Sequence, residues 1–376
     1  MRSLDFCRCA LGVCVAAAML AGCSASQPPI GAPDLMSQNV TRLTRPDAGK
    51  YRILYSFYGN YGVGGPNGGP PLSAPVLDSS GNLYGPAGGG IGNSIYCSGP
   101  CGVVYKLTRA RGWSESVALN FSSWFNDGVP NSPVAFDGRG NLYGDLRLNI
   151  GRNWTYKLTP VSGGWAFTTI YKNYSDDRGG VVADGAGNIY GLLSHDYCGT
   201  AGELSLRAKG WKSTTLYNFC HEHGRGGTEP RAPFSWDAKG NLYGTAYAGG
   251  LKCPGTYGCG TAFQMTPNEN HTWTYHVLHH FGALKKDGFS PWVFDKSGSL
   301  YGVANGGNKC GAYYCGEVFK ITPETSGQWK YSVVHAFGGS DGAYHYGVVI
   351  DKDGNIFGTA LGGGTYNYGV VFEIAT

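Results

Sequence analysis

Asp78-Ser79-Ser80-Gly81-Asn82-Leu83-Tyr84-Gly85 is the first of six copies of one pattern in this 376-residue chain. The later copies begin at Asp137, Asp184, Asp237, Asp295 and Asp351, in steps of 59, 47, 53, 58 and 56 residues. Each Asp is followed at the third position by Gly and at the seventh by a second Gly. Tyr precedes that second Gly in five copies and Phe357 in the last. Asp-x-x-Gly reads as a tight turn, because the Asp side chain caps it and Gly accepts positive φ. An apolar run such as Pro75-Val76-Leu77 or Pro291-Trp292-Val293-Phe294 lies before the turn, and Leu-Tyr-Gly follows it. The turn therefore joins two strands, A and B.

Two more strands follow in each copy. After a Gly-rich stretch, strand C alternates: Val103, Tyr105 and Leu107 take one face, and Val104, Lys106 and Thr108 the other. Alternation of period two marks a half-buried strand. Strand D opens with Trp in five copies (Trp113, Trp165, Trp211, Trp273 and Trp329). Eight residues on stands Phe121, Phe219, Phe281 or Phe337, with Asn173 in the second copy. The recurring strand C lysines, Lys106, Lys157 and Lys320, read as a solvated face. Four strands in a repeat of roughly 50 residues make a propeller blade. The expected fold is all-β: one six-bladed β-propeller over residues 51–376. Tyr51-Arg52-Ile53-Leu54-Tyr55-Ser56-Phe57 reads as a strand D with no A, B or C before it, and the sixth copy stops after strand C. The N-terminal strand is thus expected to close the last blade and so remove two open sheet edges.

Composition agrees. The chain has 63 Gly and 26 Tyr but only 14% charged residues. That balance argues against disorder, which goes with high charge and few aromatics. The glycines keep no three-residue period, which excludes collagen. The net charge of +4 is spread out with no basic stretch, so nucleic acid is not an expected partner.

The repeat, with its strand C of the Gly-x-Val-Phe-Lys-Leu-Thr-Pro type and Asp-Gly before strand A, resembles the GloVer tandem repeat of the choice-of-anchor family. The resemblance covers residues 51–376. It implies a repeat domain joined to a surface anchor and implies no activity. The third copy departs most, with Glu203-Leu204-Ser205-Leu206 where an aromatic is usual.

Arg2 and Arg8 precede an uncharged apolar run from Cys9 to Leu20, too short to span a bilayer, which needs about 20 apolar residues. Residues 1–22 read as a secretory signal. Leu20-Ala21-Gly22-Cys23 resembles the lipobox of bacterial lipoproteins. That resemblance implies a diacylglyceryl group on Cys23, with Ser24 directing the protein to the outer membrane or cell surface. Residues 23–50 are polar and proline-containing and read as the lipidated Cys and a flexible tether. The lipid makes the membrane a partner, and the propeller itself is expected as a monomer.

Eight cysteines follow Cys23, an even number that argues for disulfides in an exported protein. The expected pairs are Cys97–Cys101, Cys198–Cys220, Cys253–Cys259 and Cys310–Cys315. Cys198 precedes strand C of its blade and Cys220 ends strand D, so the two meet across one hairpin. The close pairs sit in different blades, too far apart to share a zinc ion.

A–B and C–D turns lie on one face of such a ring, and B–C and D–A loops on the other. The second set varies in length and carries the cysteines, so it is the expected ligand face. His221, His223, Arg231, Trp292, Tyr344 and His345 fall in or beside these loops. His221 and His223, two apart in an extended stretch, suit a metal only if a third ligand joins them, and none can be named. Asp127, Asp287 and Asp341 recur as Asp-Gly before strand A. A ring of them would suit Ca²⁺, but Asp-Gly is also a common turn, and no cofactor is expected. Trp124 and Trp292 suit stacking on a sugar as well as packing in the core. No nucleophile elbow, phosphate loop or zincin helix is present. The leading expectation is a non-enzymatic binding or scaffold module for a glycan or an envelope protein. The alternative is a hydrolase or lyase acting on a polysaccharide or lactone in the central channel.

Overall fold

A computed structural model of the chain describes residues 51–59, 68–89, 101–121, 128–130, 132–148, 152–173, 179–194, 198–220, 226–230, 233–237, 239–250, 261–270, 272–280, 292–304, 309–310, 313–323 and 329–375. The signal and tether segments lie outside this set. The described residues form six antiparallel blade sheets, each with strands in the order A-B-C-D, and a two-stranded ribbon of Lys309–Cys310 and Tyr313–Tyr314 in the B–C loop of blade 5. Blade 1 is Val76–Leu77, Leu83–Ala87, Val103–Thr108 and Ser114–Asn120. Blade 6 is Ala343–Ile350, Ile356–Gly362 and Val370–Ile374, completed by Tyr51–Ser56. Closure by the N-terminal strand is therefore present, in the register Tyr51↔Ile374, Arg52↔Glu373 and Ile53↔Phe372. The facing Arg52 and Glu373 side chains form an ion pair across that seam. Strands A of neighbouring blades approach one another and surround the axis. Strand A is a single run in blade 6 but is split in blades 2 and 4. There Val129–Pro130 and Ala135–Phe136, or Thr228–Pro230 and Ser235–Trp236, pair separately with strand B.

Each residue of the repeat has a physical task. In blade 2 one carboxylate oxygen of Asp137 accepts the backbone N–H groups of Arg139 and Asn141, at 2.8 and 2.9 Å. The other accepts the Asn141 amide at 2.7 Å and the Tyr143 hydroxyl at 3.1 Å. Partial burial opposes ionisation at Asp137, Asp237, Asp295 and Asp351, but the donors around them outweigh it and hold all four below the ordinary aspartate range. The motif aromatic also receives the Trp of the next blade. Trp165 meets Tyr84, Trp211 meets Tyr143, Trp273 meets Tyr190, and across the closing seam Trp113 meets Phe357, with centroids 5.5 to 6.3 Å apart. The second Gly leaves room for the strand C aromatic opposite. A Cβ on Gly85, Gly144, Gly244, Gly302 or Gly358 would stand 2.3 to 2.7 Å from the ring or hydroxyl of Tyr105, Tyr156, Phe263, Phe319 or Phe372. Blade 3 solves the problem differently. Gly202 faces Gly191, and Leu193 fills the space the ring would take. The strand C lysines are not simply solvated. Lys106, Lys157 and Lys320 lie over the rings of Tyr84, Tyr143 and Tyr301 at 5.3, 5.8 and 5.0 Å.

The core is a set of seams. Six buried apolar clusters occupy the six blade–blade interfaces, including the closing one, where Phe57, Phe357 and Val371 pack on Leu83, Val103, Tyr105 and Leu107. Phe57, Phe121, Phe219 and Phe337, the strand D phenylalanines of four blades, are all fully buried.

Candidate binding edge of blade 6

The antiparallel order sends the turns and the loops to opposite faces. On the turn face, Arg109 in the C–D turn of blade 1 reaches Asp351 in the A–B turn of blade 6 at 3.4 Å. Lys296 in the A–B turn of blade 5 donates to the Lys352 carbonyl at 2.8 Å. These side chains are committed to one another.

On the loop face, the best-defined region is the edge of blade 6. Three segments meet there: residues 56–58 at the end of the closing strand, 338–344 leading from blade 5 into strand A of blade 6, and 363–369 between strands B and C. Gly364 donates to the Ser340 carbonyl at 2.8 Å, Phe57 to Gly369 at 3.0 Å, and Thr365 to the Ser56 hydroxyl at 3.4 Å. Within the third segment Gly363 donates to the Asn367 amide oxygen at 3.0 Å. Gly363 must be glycine: its φ is +90°, and a Cβ would meet Gly342 and Gly339 backbone at 2.7 and 2.8 Å. Asn367 and Tyr344 also take left-handed backbone, at φ 58° and 57°. Asn adopts this region readily, whereas for Tyr it is an outlier that surrounding structure must enforce.

Four tyrosines stand out from this edge. Tyr58 is 40% exposed, Tyr344 43%, Tyr366 56% and Tyr368 38%. Tyr58 and Tyr366 meet edge to face, with centroids 6.2 Å apart and planes at 69°.

Beneath them lies a bracing cluster. Tyr51 stacks on His335 at 4.3 Å and donates to the Asp341 carbonyl. The Asp341 carboxylate is 3.0 Å from His335 Nε2 and accepts the Gly338 N–H at 2.7 Å. Burial opposes the charge on Asp341, but these donors keep it below the ordinary aspartate range. The Asp-Gly aspartate of this blade thus braces its own loop. Among the described residues two carboxyls are displaced upward. Burial pushes Asp145, which accepts from the Thr155 and Ser132 hydroxyls at 2.8 and 3.4 Å, up to about 6. Burial pushes Glu115, whose oxygens accept no hydrogen bond from the described residues, up to about 7.

The residues singled out in the sequence fare unequally. Tyr344 is exposed on the edge. His345 is not: it is 3% exposed, against Phe337 at 3.7 Å, and burial lowers its imidazole to about 3, so it stays neutral. Strand A alternation turns it inward, and a bulge between His345 and Gly347 resets the register below it. Trp292 is also buried, in the seam between blades 4 and 5. Neither stands where a ligand would touch it. His221, His223, Arg231, Trp124, Asp127 and Asp287 lie outside the described residues. Cys198 and Cys220 form a disulfide with Cα atoms 5.1 Å apart. Cys101 and Cys315 are disulfide-bonded as well. Cys97, Cys253 and Cys259 lie outside the described residues, as does the side chain of Cys310. Sequence reasoning passed over Tyr58, Tyr366 and Tyr368; the run Tyr366-Asn367-Tyr368 in an otherwise glycine-rich loop was the available signal.

Six four-stranded sheets in a ring closed by the first strand, with loops gathered on one face, define a β-propeller protein. The chain belongs to the family of the Gloeobacter/Verrucomicrobia repeat, whose model matches residues 147–372. No curated protein matches it. Among solved structures it is similar to regucalcin, a calcium-binding protein of Agrobacterium tumefaciens, at 15% identity over 81% of this chain and 90% of that one, with a TM-score of 0.49. It is similar to a fungal alcohol oxidase of the AA5 family in complex with copper, at 15% identity over 84% and 77%, with a TM-score of 0.49. It is also similar to a putative 6-phosphogluconolactonase from Bacteroides uniformis, at 12% identity over 81% and 80%, with a TM-score of 0.48. Likeness at this level carries no functional implication.

Proposed function

We propose that the chain is an exported, lipid-anchored propeller that acts as a binding or scaffold module through its D–A and B–C loop face. Cys23 carries the lipid, residues 23–50 form the tether, and the protein resides at the outer membrane or cell surface. The observation that carries the binding role is the braced edge of blade 6. A patch of exposed large aromatics gathered on one edge is the kind of surface that marks an interaction site. Bracing such loops in advance also lowers the ordering cost of association. The turn face, by contrast, spends its Asp and Asn side chains on closing hairpins, as at Asp137 and Asn141.

The anchor is tested by metabolic labelling with palmitate, which is expected to mark the protein and to fail in Cys23→Ser. The face is tested by binding of the chain to isolated cell envelopes, with substitution sets on each face and melting temperature as the fold control. Binding is expected to fall with loop-face substitutions such as Tyr344→Ala. Loss confined to turn-face substitutions such as Lys296→Glu would refute the assignment.

A further inference from the structure

We infer that the blade 6 edge binds the neutral sugar rings of a polysaccharide, with Tyr58 and Tyr366 as the stacking surfaces and Tyr368 at the margin. The inference rests on the reading of this face as the binding face and names its ligand class.

Three observations lead there. The first is concentration. The described large apolar residues exposed elsewhere are Ile53 on the closing strand, Val161 by the C–D turn of blade 2 and Leu206 by that of blade 3. All the exposed tyrosines among the described residues stand on the one edge, and no described Trp or Phe is exposed.

The second is composition. The protruding side chains are all tyrosines, with no wholly apolar side chain among them. Tyrosine offers an apolar ring and a wet hydroxyl together. A pyranose ring has the matching character, with C–H groups on its faces and hydroxyls around its rim.

The third is charge. Residues 57–59 and 363–369 contain no Lys, Arg, Asp or Glu. The Asp341 carboxylate nearby is engaged by His335 and Gly338. Among the described residues of these two segments there is no cation to draw a phosphate, an anionic lipid headgroup or a uronate. The 69° between the Tyr58 and Tyr366 rings presents two planes rather than one flat platform. That arrangement suits successive residues of a turning chain better than the flat face of a crystalline one.

The test is affinity electrophoresis of the full chain in gels containing amylopectin, dextran, galactomannan or xyloglucan. Polygalacturonate and alginate serve as anionic counterparts, and sedimentation with phosphatidylcholine–phosphatidylglycerol vesicles as the lipid arm. Retardation by at least one neutral polysaccharide is expected. Tyr58→Ala and Tyr366→Ala should each weaken it about tenfold, the scale on which truncating a central aromatic contact acts. Tyr366→Trp should retain it. Because both side chains are substantially exposed, the alanine variants should keep the parental melting temperature, which separates lost stacking from lost fold. Retardation by a neutral polysaccharide that survives the double Tyr58→Ala/Tyr366→Ala substitution overturns the inference. So does binding only to the anionic polymers or vesicles, or no binding to any probe. If envelope binding still depends on the loop face in those cases, the binding-module reading stands and only the ligand class falls. If binding depends on the turn face, both fall.

Discussion

Replacing Gly358 by Ala places a methyl group 2.3 Å from Cζ of Phe372 and 2.9 Å from both Cε atoms. Carbon atoms in good contact stand about 3.5–4.0 Å apart, so the ring must retreat by more than 1 Å, on the order of a third of that separation. It has nowhere free to go. Phe372 is fully buried, with Phe337, Tyr51 and His345 at centroid distances of 5.2, 5.7 and 6.0 Å. Overpacking of this kind costs about 1–3 kcal/mol, and the boxed ring argues for the upper end. Phe372→Leu shortens the side chain and removes the clash, at about 1–2 kcal/mol for the cavity it leaves. The double variant should therefore be little worse than Phe372→Leu alone, a coupling of about 2 kcal/mol. Gly240→Ala is the control. Gly240 has φ +82° with nothing within 4 Å of a Cβ, so it should lose only about 1 kcal/mol, from backbone conformation. Equilibrium denaturation followed by circular dichroism reads all four variants. If the effects of Gly358→Ala and Phe372→Leu simply add, the ring does not explain the glycine, and the account of the repeat is wrong.

Other consequences are as direct. Glu115 titrates higher in the folded chain than in the unfolded one, so the native state holds the extra proton and stability should fall as pH rises from about 4.5 to about 7. Glu115→Gln should flatten that slope and add about 1–2 kcal/mol at pH 8, after discounting for partial solvent screening; an unchanged slope refutes the assignment. Deleting residues 51–57 should bare the edge of Val370–Ile374 and cause aggregation or a large loss of thermal stability, and a deletion variant that melts cooperatively at the parental temperature contradicts ring closure. Changing Cys198 and Cys220 together to Ser should cost about 2–3 kcal/mol, since the bond closes a loop with a sequence separation of 22; no change in denaturation midpoint argues against the bond.

The fold was legible because its determinants are local and repeated. Asp-x-x-Gly sets a turn whatever surrounds it, and period two then assigns each side chain to a face, as the opposite seams taken by Tyr105 and Val104 show. The Cys198–Cys220 pair followed from hairpin geometry alone. The binding edge was less legible because exposure there depends on tertiary detail. His345 and Tyr344 are neighbours in the same loop-flanking run, yet one is buried and the other exposed. What separates them is strand alternation together with a positive φ and a bulge, none of which composition announces. The split strands A of blades 2 and 4 were missed for a similar reason: Pro130 and Pro133, and Pro230 and Pro233, stand where the ladder is interrupted without changing the apolar pattern that surrounds it.

The pairing that completes the ring also imposes an order of events. Tyr51–Ser56 is the first described strand of the propeller along the chain, and its partner Val370–Ile374 is the last. The Arg52–Glu373 ion pair joins residues 321 positions apart. Until that last strand is in place the opening strand lacks its partner, while blades 1 to 5 have all four of their strands in hand. The sixth blade is therefore a checkpoint: a chain truncated anywhere before Val370 leaves its first strand unmatched. Such a chain should be recognised by proteases as incomplete, however well its other blades have folded.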